Sequence, residues 1–315
     1  MNIFITGTAG FIGFHLARRL LAEGHVVHGF DGLTDYYDVR LKRARHALLE
    51  ASANFTAIIG QLENADLLKA AIRDCAPDIV VHLAAQAGVR YSIEHPQTYV
   101  SSNLIGTFNL LEALRATPVQ HAILASTSSI YAATKRGTEA MAHSYAHLFG
   151  IPTTLTRFFT VYGPWGRPDM APIKFASAIE AGRAIDVYGE GNQSRDFTYI
   201  DDVVEAVTRL LTEAPVAGFA VDKTDSISPV APWRTVNIAG GQPVPLLDFI
   251  AAFEAALGKP ALKNFVPMQP GDVSATLADT ALLRALTDFV PAVPVSDGVA
   301  KFCAWYRTEY AGRYT

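Results

Sequence analysis

Short apolar runs alternate with amphipathic segments through the first half of the chain. The apolar, β-prone runs predict strands over residues 2–6, 26–31, 55–59, 79–83 and 121–126. The segments between them have helical spacing, near residues 11–23, 40–51, 64–75, 96–116 and 132–149. Because strands and helices alternate, we expect an α/β fold built on a doubly wound parallel sheet.

The second half departs from this alternation. Residues 153–159 and 235–238 predict later strands of the same sheet. The Gly- and Pro-rich segment 163–172 begins a smaller second lobe, and residues 222–233 form a polar surface loop. We therefore expect a cofactor-binding domain of residues 1–162 plus 196–239. Residues 163–195 plus 240–315 would then form a smaller, C-terminal substrate-binding lobe.

The first predicted strand leads directly into a glycine-rich turn and a helix. Gly7 permits the tight turn, Gly10 allows close approach to a pyrophosphate, and Gly13 allows the helix and strand to pack closely. Asp31 ends the next strand, where a carboxylate accepts hydrogen bonds from an adenosine ribose and repels a 2′-phosphate. This pattern predicts NAD rather than NADP as the cofactor. The alternative is a glycine-rich turn followed by a solvated aspartate.

Composition excludes several classes of function. Charged residues make up 18% of the 315 residues and the net charge is −4, so nothing indicates binding to nucleic acid or to an anionic membrane surface. No apolar run is long enough to span a bilayer. Because the sequence opens on a predicted strand and glycine turn, we expect no signal peptide. Cys75 and Cys303 lie far apart, which favours a reducing, cytoplasmic compartment. His143 and His147 have no third ligand, so we expect no metal site.

A tyrosine and a lysine lie four residues apart on a predicted helix, after a run of hydroxyl side chains. Tyr131 and Lys135 share one helix face, and Thr127 precedes them at the end of an apolar strand. An ammonium group close to a phenol lowers the phenol's pKa, so such a tyrosine can remove a proton from an alcohol. Taken alone, this spacing is more often a surface pair.

The chain resembles the extended short-chain dehydrogenase/reductases, and within them the nucleotide-sugar 4-epimerases. The matching segments are TGTAGFIG, DYYDVRLKRAR, HLAAQAGVRYSIEHPQTYVSSNLIGTFNLLEA, YAATK, MAHSYAHLFGIPTTLTRFFTVYGPWGRPDMA, RDFTYIDDV and QPGDV. GVRYSIEHP and FFTVYGPWGRPDMA are typical of the branch that acts on UDP-uronates. The resemblance implies a Rossmann fold, NAD as cofactor, a UDP-sugar as substrate and a homodimer formed by helices 96–116 and 132–149. It implies transient oxidation at carbon 4 of the sugar, with UDP-glucuronate as the expected substrate.

The resemblance also implies roles at matching positions. The implied catalytic residues are Thr127, Tyr131 and Lys135. Cofactor contacts are implied for Gly7, Gly10, Phe11, Ile12, Gly13, Asp31, Gln61, Leu62, Leu83, Ala84, Ala85, Asn103, Tyr131 and Lys135. Substrate contacts are implied for Arg90, Thr127, Ser128, Thr160, Arg167, Val187, Arg195 and Asp272.

Several of these residues have plain structural alternatives. Arg90 would pair only with Glu94, four residues later on a helix. Asp272 would only cap a turn after Gly271. Arg195 would pair with Asp201 or with Asp202, and a simple ion pair then accounts for its charge.

The chain departs from the family most strongly next to its proposed catalytic residues. Roughly twenty residues are missing between Ser129 and Tyr131, and a loop that long is usually a functional lid or a disordered segment. Two explanations remain open. Either the deletion is real, which forces strand and helix together and disturbs the site, or the chain as written omits a loop. Two smaller departures are Gly32, where the family commonly has Asn, and Gln61, where it often has Asp.

Three other functions compete with epimerisation. UDP-glucuronate decarboxylases and nucleotide-sugar 4,6-dehydratases resemble this chain, but they usually carry acidic residues directly after the catalytic Thr or Ser. Ser128 and Ser129 occupy those positions here, which favours simple oxidation and return. A genuine deletion near residues 129–130 would instead support an NAD-binding protein that has lost catalysis.

Overall fold

The computed structural model describes residues 1–127, 132–268 and 272–314, apart from the side chains of Val89, Arg90 and Ala132. Its strands are Asn2–Thr6 (β1), Val26–Asp31 (β2), Phe55–Ile59 (β3), Ile79–His82 (β4), His121–Thr127 (β5), Thr153–Phe158 (β6), Thr160–Tyr162 (β7), Ala184–Tyr188 (β8), Ser194–Tyr199 (β9), Trp233–Ile238 (β10), Pro243–Pro245 (β11) and Leu262–Val266 (β12). The seven predicted strands are therefore present, with ends shifted by at most two residues.

The α-helices are Phe11–Ala22 (α1), Val39–Glu50 (α2), Ala65–Cys75 (α3), Val89–Glu94 (α4), Pro96–Tyr99 (α5), Gly106–Ala116 (α6), Ala132–Phe149 (α7), Ala171–Glu180 (α8), Ile200–Leu210 (α9), Leu246–Leu257 (α10), Ala281–Thr287 (α11) and Val295–Trp305 (α12). The continuous helix predicted over 96–116 is wrong in detail, because a π-helical turn, Val100–Ile105, separates α5 from α6. Such turns often occur at functional sites, and this one contains buried Asn103.

The seven predicted strands form one parallel sheet with the order β10-β6-β5-β4-β1-β2-β3. Every pairing in this sheet is parallel. This confirms the α/β doubly wound sheet predicted from the alternation of strands and helices. The strand order reverses between β1 and β4, and ligands of such sheets bind at the carboxyl ends of the strands at this point.

Alternate residues of the central strands pack on opposite faces of the sheet. Ile3 and Ile5 belong to one buried cluster, whereas Phe4 belongs to the other. This separation follows from the two-residue period of a strand. Helices α1 and α9 pack together, as do α3 and α6, so the sheet is buried on both faces as parallel sheets require.

Two smaller sheets lie outside the large one. Strand β9 pairs with β7 and β11, and strand β8 pairs with β12. The segment after β12 returns to β9, where Ala275 forms a bridge with Ser194 although the two residues are far apart in sequence. In the part of the chain that the structure describes, no helix combines the length and apolarity that a membrane crossing requires.

Candidate active site

A single cleft of about 1480 Å³ follows the carboxyl ends of the central strands and continues into the smaller sheets. It is lined by residues that the sequence predicted for cofactor, catalysis and substrate. These are Gly7, Gly10, Phe11, Ile12, Gly13, Asp31, Gln61, Leu62, Leu83, Ala84, Ala85, Thr127, Lys135, Thr160, Arg167, Arg195 and Asp272.

The turn after β1 packs its glycines against each other. Gly7 has a φ of +86°, and its N–H donates to the carbonyl oxygen of Phe30 at 2.7 Å. A methyl group on Gly13 would lie 2.1 Å from the carbonyl oxygen of Gly7. Helix α1 begins after Gly10 without a side-chain cap, so its first N–H groups are available to an anion. This geometry fits the pyrophosphate of a dinucleotide.

Asp31 orders the same turn from the end of β2. Its carboxylate accepts hydrogen bonds from the N–H of Ala9 at 2.9 Å and from the N–H of Leu33 at 2.8 Å. Each carboxylate oxygen has a second lone pair, which leaves acceptor capacity for ribose hydroxyls. The position of Asp31 in the cleft therefore fits the adenosine half of NAD.

The two cofactor-side departures from the family lie against each other. A methyl group on Gly32 would be 2.6 Å from the Oε1 atom of Gln61, and the Gln61 amide donates to the carbonyl oxygen of Gly32 at 3.2 Å. An Asn side chain at position 32 would compete for the space that Gln61 occupies. The two departures from the family therefore lie in direct contact.

Asn103 connects the end of β4 to helix α7 from behind the cleft. Its side-chain oxygen accepts from the N–H of Gln86 at 2.8 Å, and its amide donates to the Gln86 carbonyl oxygen at 3.1 Å. The amide also donates to Thr134 Oγ1 at 3.3 Å. Asn103 does not line the cleft, so its predicted role is to support residues that do.

Thr127 and Lys135 enter the cleft from β5 and α7. Thr127 is the last residue of β5 and is buried. The Lys135 ammonium donates to the carbonyl oxygen of Ala125 at 3.0 Å, and burial lowers the pKa of Lys135 to about 8. A lysine in this state can act on nearby hydroxyls as a cation or exchange a proton near neutral pH.

Arg167 reaches the cleft within a polar cluster. Its guanidinium donates to both oxygens of Asp169, at 3.0 and 2.6 Å. The hydroxyl of Tyr36 donates to the same carboxylate at 3.1 Å. Desolvation opposes ionisation of Asp169, but the bonds from Arg167 and Tyr36 outweigh it and hold the pKa of that carboxyl below its ordinary value. Arg167 is therefore already paired with Asp169 before any ligand binds.

Arg195 and Asp272 lie together at the other end of the cleft. Arg195 donates to the carbonyl oxygens of Ser194 and Ser274, at 2.8 and 3.3 Å. Burial lowers the pKa of Arg195, and the charge of Asp272 opposes that shift. The alternative pairing with Asp201 or Asp202 is wrong: the carboxylate charge that acts on Arg195 is that of Asp272. The cations near Asp201 are Lys301, Arg18 and Arg19, and Asp202 accepts from the backbone N–H groups of Ala292 and Val293.

Besides Asn103, four predicted site residues do not appear in the cleft lining, for different reasons. Ser128 and Tyr131 lie outside the described residues, and the side chain of Arg90 is not described. The side chain of Val187 is fully buried in the hydrophobic core. Any contact of Val187 with a ligand would therefore be through its backbone.

Sequence reasoning missed Lys42 of helix α2. Its ammonium donates to the carbonyl oxygen and hydroxyl of Thr34, at 2.6 and 2.9 Å, beside the loop that follows Asp31. Burial lowers the pKa of Lys42, while the charge of Asp31 opposes the shift. The residue lies eleven positions after Asp31 in a helix rich in basic residues, and no local pattern distinguishes it from its neighbours.

His143 and His147 make contacts that account for them without a metal. The His143 ring is 2.9 Å from the Ser228 hydroxyl, and the His147 ring is 2.7 Å from the carbonyl oxygen of Val230. Among the residues that the structure describes, no group of three or more metal-ligating side chains lies together.

Two family models match consecutive parts of the chain. The model of GDP-mannose 4,6 dehydratase matches residues 4–131, and that of the NAD dependent epimerase/dehydratase family matches residues 128–219. A probable UDP-glucuronate 4-epimerase of Rhizobium meliloti (strain 1021) is 52% identical, with 100% of this chain and 99% of the relative covered. That alignment spans 339 positions against 315 residues here, so at least 24 positions of the alignment have no residue of this chain.

Solved structures of epimerases and dehydratases also match nearly the whole chain, at lower sequence identity. The UDP-glucuronic acid 4-epimerase of Bacillus cereus, in complex with UDP-glucuronic acid and NAD, is 33% identical with a TM-score of 0.87, covering 98% of this chain and 99% of that one. A dTDP-glucose 4,6-dehydratase of Streptomyces venezuelae is 25% identical with a TM-score of 0.84, covering 98% of each chain.

Proposed function

Because the chain belongs to the NAD dependent epimerase/dehydratase family, we propose that it interconverts UDP-glucuronate and UDP-galacturonate by epimerisation at carbon 4 of the sugar. The protein is an enzyme of the isomerase class, and its cofactor is NAD. One observation supports this function most strongly. A single cleft joins the dinucleotide turn at Gly7, the Thr127–Lys135 pair and the Arg195–Asp272 pair.

The proposed cofactor site is formed by the first two strands and the turns after them. The N–H groups at the start of α1 hold the pyrophosphate, and Asp31 binds the adenosine ribose. When bound, NAD supplies a reversible hydride acceptor for carbon 4, so that the sugar passes through a 4-keto form. Leu83, Ala84 and Ala85 line the cleft after β4 and exclude water from its inner wall.

The proposed proton transfer uses Tyr131, Lys135 and Thr127. The Lys135 ammonium stabilises Tyr131 as a phenolate, which takes the proton of the 4-hydroxyl and becomes a neutral phenol. Thr127 donates or accepts a hydrogen bond at the same sugar oxygen. The buried position of Lys135, with its pKa near 8, supports this assignment because small changes of field there alter the charge near neutral pH.

The substrate is proposed to be anchored through its diphosphate and nucleoside. Arg195 binds a phosphate, Asp272 the uridine ribose, and the backbone at Val187 the base, while Thr160 lines the wall between them. A 4-keto uronic acid is a β-keto acid and loses carbon dioxide readily. Thr127, Ser128, Arg90 and Arg167 are therefore proposed to hold the sugar carboxylate in an orientation that disfavours this loss.

Product analysis tests this function and its rivals together. The purified protein is incubated with UDP-glucuronate, and the products are followed by ¹H NMR. We expect a mixture of the two C4 epimers without net consumption of NAD. A UDP-pentose with carbon dioxide would indicate a decarboxylase, and a 4-keto-6-deoxy sugar formed from a UDP-hexose would indicate a dehydratase. No change with either substrate would indicate a protein that has lost catalysis.

We also propose that two copies associate through α6 and α7, with a cytoplasmic location and the two-lobe division described for the sequence. Ile105, Phe108, Leu148 and Phe149 are large apolar side chains exposed on these helices and the adjoining π-helical turn, as expected of a helical interface. Light scattering should give twice the mass of the chain, and Phe108→Glu should give the monomer. A monomeric wild-type protein would contradict this proposal.

A further inference from the structure

We propose that Glu139 is a positioning residue for catalysis, which fixes the end of β5, carrying Thr127, against helix α7, carrying Lys135. Glu139, Ser126, Arg136 and Arg157 form what we term the Glu139 cluster. The inference rests on the proposed function, because it assigns Glu139 an effect on the groups that act on the 4-hydroxyl.

The Glu139 carboxylate joins three elements of the fold. It accepts a short hydrogen bond from the Ser126 hydroxyl of β5. Arg157 of β6 donates to both its oxygens, at 3.0 and 2.8 Å, and Arg136 of α7 donates at 2.9 Å. Ser126 and Arg157 are direct neighbours in the parallel pairing of β5 with β6. One buried side chain therefore fixes α7 to two adjacent strands at the catalytic end of the sheet.

The charges of the Glu139 cluster keep the carboxylate ionised. Burial opposes ionisation, but hydrogen bonds from Arg157 and Ser126 outweigh it, so the pKa of Glu139 stays below its ordinary value. Arg157 binds both oxygens in parallel, the geometry that makes such pairs strong and directional. The orientation of α7 at this point is accordingly well defined.

The position of the cluster relates it to catalysis rather than to general stability. Ser126 immediately precedes Thr127, and Glu139 follows Lys135 by one helical turn. Consecutive residues of β5 bind consecutive turns of α7, because Ala125 accepts from Lys135 and Ser126 donates to Glu139. Residues 131, 135 and 139 recur at the spacing that places them on one helix face.

The contacts of the Glu139 cluster lie wholly within the described residues of β5, β6 and α7. Four residues, 128–131, separate β5 from α7 along the chain and lie outside the described residues. The question of a deletion near residues 129–130 falls outside the described residues. Within them, Lys135 bonds to β5 and lines the cleft with Thr127. The Glu139 cluster supplies contacts that fix α7 independently of the connecting segment.

Glu139→Gln tests the proposal with little change in side-chain volume. Gln has one acceptor oxygen, so it loses the paired bonds from Arg157, and we expect kcat to fall about 10- to 100-fold, as for a small misplacement of reacting groups. The KM for UDP-glucuronate and the NAD content should change less than about twofold, since neither binding end of the cleft contacts the cluster. Glu139→Asp retains the charge and should recover part of kcat.

The pH profile separates positioning from a purely structural role. The Glu139 cluster carries the charges of Glu139 and Arg136 on α7 and of Arg157 on β6. His82 on β4, next to Lys135, stays neutral because burial lowers its pKa to about 3. Glu139→Gln removes the negative charge one turn from Lys135 and leaves both arginines. Both limbs of the kcat profile should therefore move to lower pH by about 0.5–1 unit, whereas Glu139→Asp should leave them in place.

The control is Glu112→Gln. Glu112 lies on α6, away from the cleft, and its carboxylate accepts a hydrogen bond from the Tyr145 hydroxyl of α7. This variant should leave kcat and the pH profile unchanged. Wild-type kcat and pH profile in Glu139→Gln would overturn the proposal, and so would a loss of kcat that follows a loss of folded, NAD-bearing protein. If wild-type protein forms no epimer, the proposed function fails. In that case the pH midpoint of the Lys135 titration is compared between wild-type and Glu139→Gln holoprotein, each labelled with ¹⁵N-lysine. An unchanged midpoint would overturn the proposal for Glu139.

Discussion

Replacing Gly13 by alanine tests whether the close packing of the first turn creates the cofactor site. The added methyl carbon would lie 2.1 Å from the Gly7 carbonyl oxygen, whereas ordinary contacts begin at 3.4 Å, so α1 and the turn must separate by about 1.3 Å. Overpacking of this kind costs about 1–3 kcal/mol. The better helix propensity of alanine offsets about 1 kcal/mol of it, so we expect a modest net loss of stability.

The effect on the cofactor should be larger than the effect on the fold. A hydrogen bond to a charged group contributes about 1.5–3 kcal/mol, so losing one N–H contact to the pyrophosphate weakens NAD binding about 10- to 150-fold. The assay measures NAD released from purified protein and its rebinding by calorimetry, beside the thermal unfolding midpoint. Gly240→Ala is the matched control, because its methyl would lie at an ordinary 3.6 Å from the nearest atom. Unchanged NAD affinity in Gly13→Ala would refute the reasoning.

Three further predictions concern buried charge and compensation. The folded-state pKa of Lys135 is about 8, below its ordinary 10.5, so its charge destabilises the fold below pH 8. This cost disappears as pH rises towards 10.5. Lys135→Met should therefore abolish epimerisation and raise the thermal unfolding midpoint at pH 7, whereas the control Lys223→Met, at an exposed lysine, should change neither. Gly32→Asn should weaken NAD binding in calorimetry, and Gln61→Asp added to it should restore the affinity, giving a non-additive double-mutant cycle. Arg45 is fully buried and donates to the carbonyl oxygens of Ala9 and Trp165, at 2.7 and 2.6 Å, so Arg45→Met should lower the free energy of unfolding by about 3 kcal/mol in urea titrations.

The sequence predicted the central sheet well because its signals are local. Apolar runs, the glycine turn and the helical spacing each lie within about ten residues, and β1, β2 and β3 have the bounds predicted for them. The interruption of helix 96–116 could not be predicted in this way. The interrupting turn contains Asn103, whose bonds to Gln86, seventeen residues earlier in the chain, are not visible in the local pattern.

Residues of the site that act through distant partners were not visible in the sequence. Gln61 looked like a simple departure from the family until its contact with Gly32 placed both in one space. Glu139 is one of three charged residues on helix α7, and no local pattern distinguishes it. Its significance arises from Arg157 and Ser126, which reach it from two different strands. Local patterns thus identify a candidate base or a cofactor-binding turn, but not the distant residues that position them.

The position of charge in the cleft connects the fold to the proposed chemistry. Parallel strands place the ends of β1, β4 and β5 at one edge, so the uncapped amides of α1 and the ammonium of Lys135 face the same cleft. Both groups favour negative charge, on a pyrophosphate in one case and on a phenolate in the other. Glu139 lies just behind Lys135, yet its own charge is compensated by Arg136 and Arg157. Helix α7 is therefore tied to the sheet by a carboxylate paired with two arginines, while the Lys135 ammonium of the same helix lines the cleft.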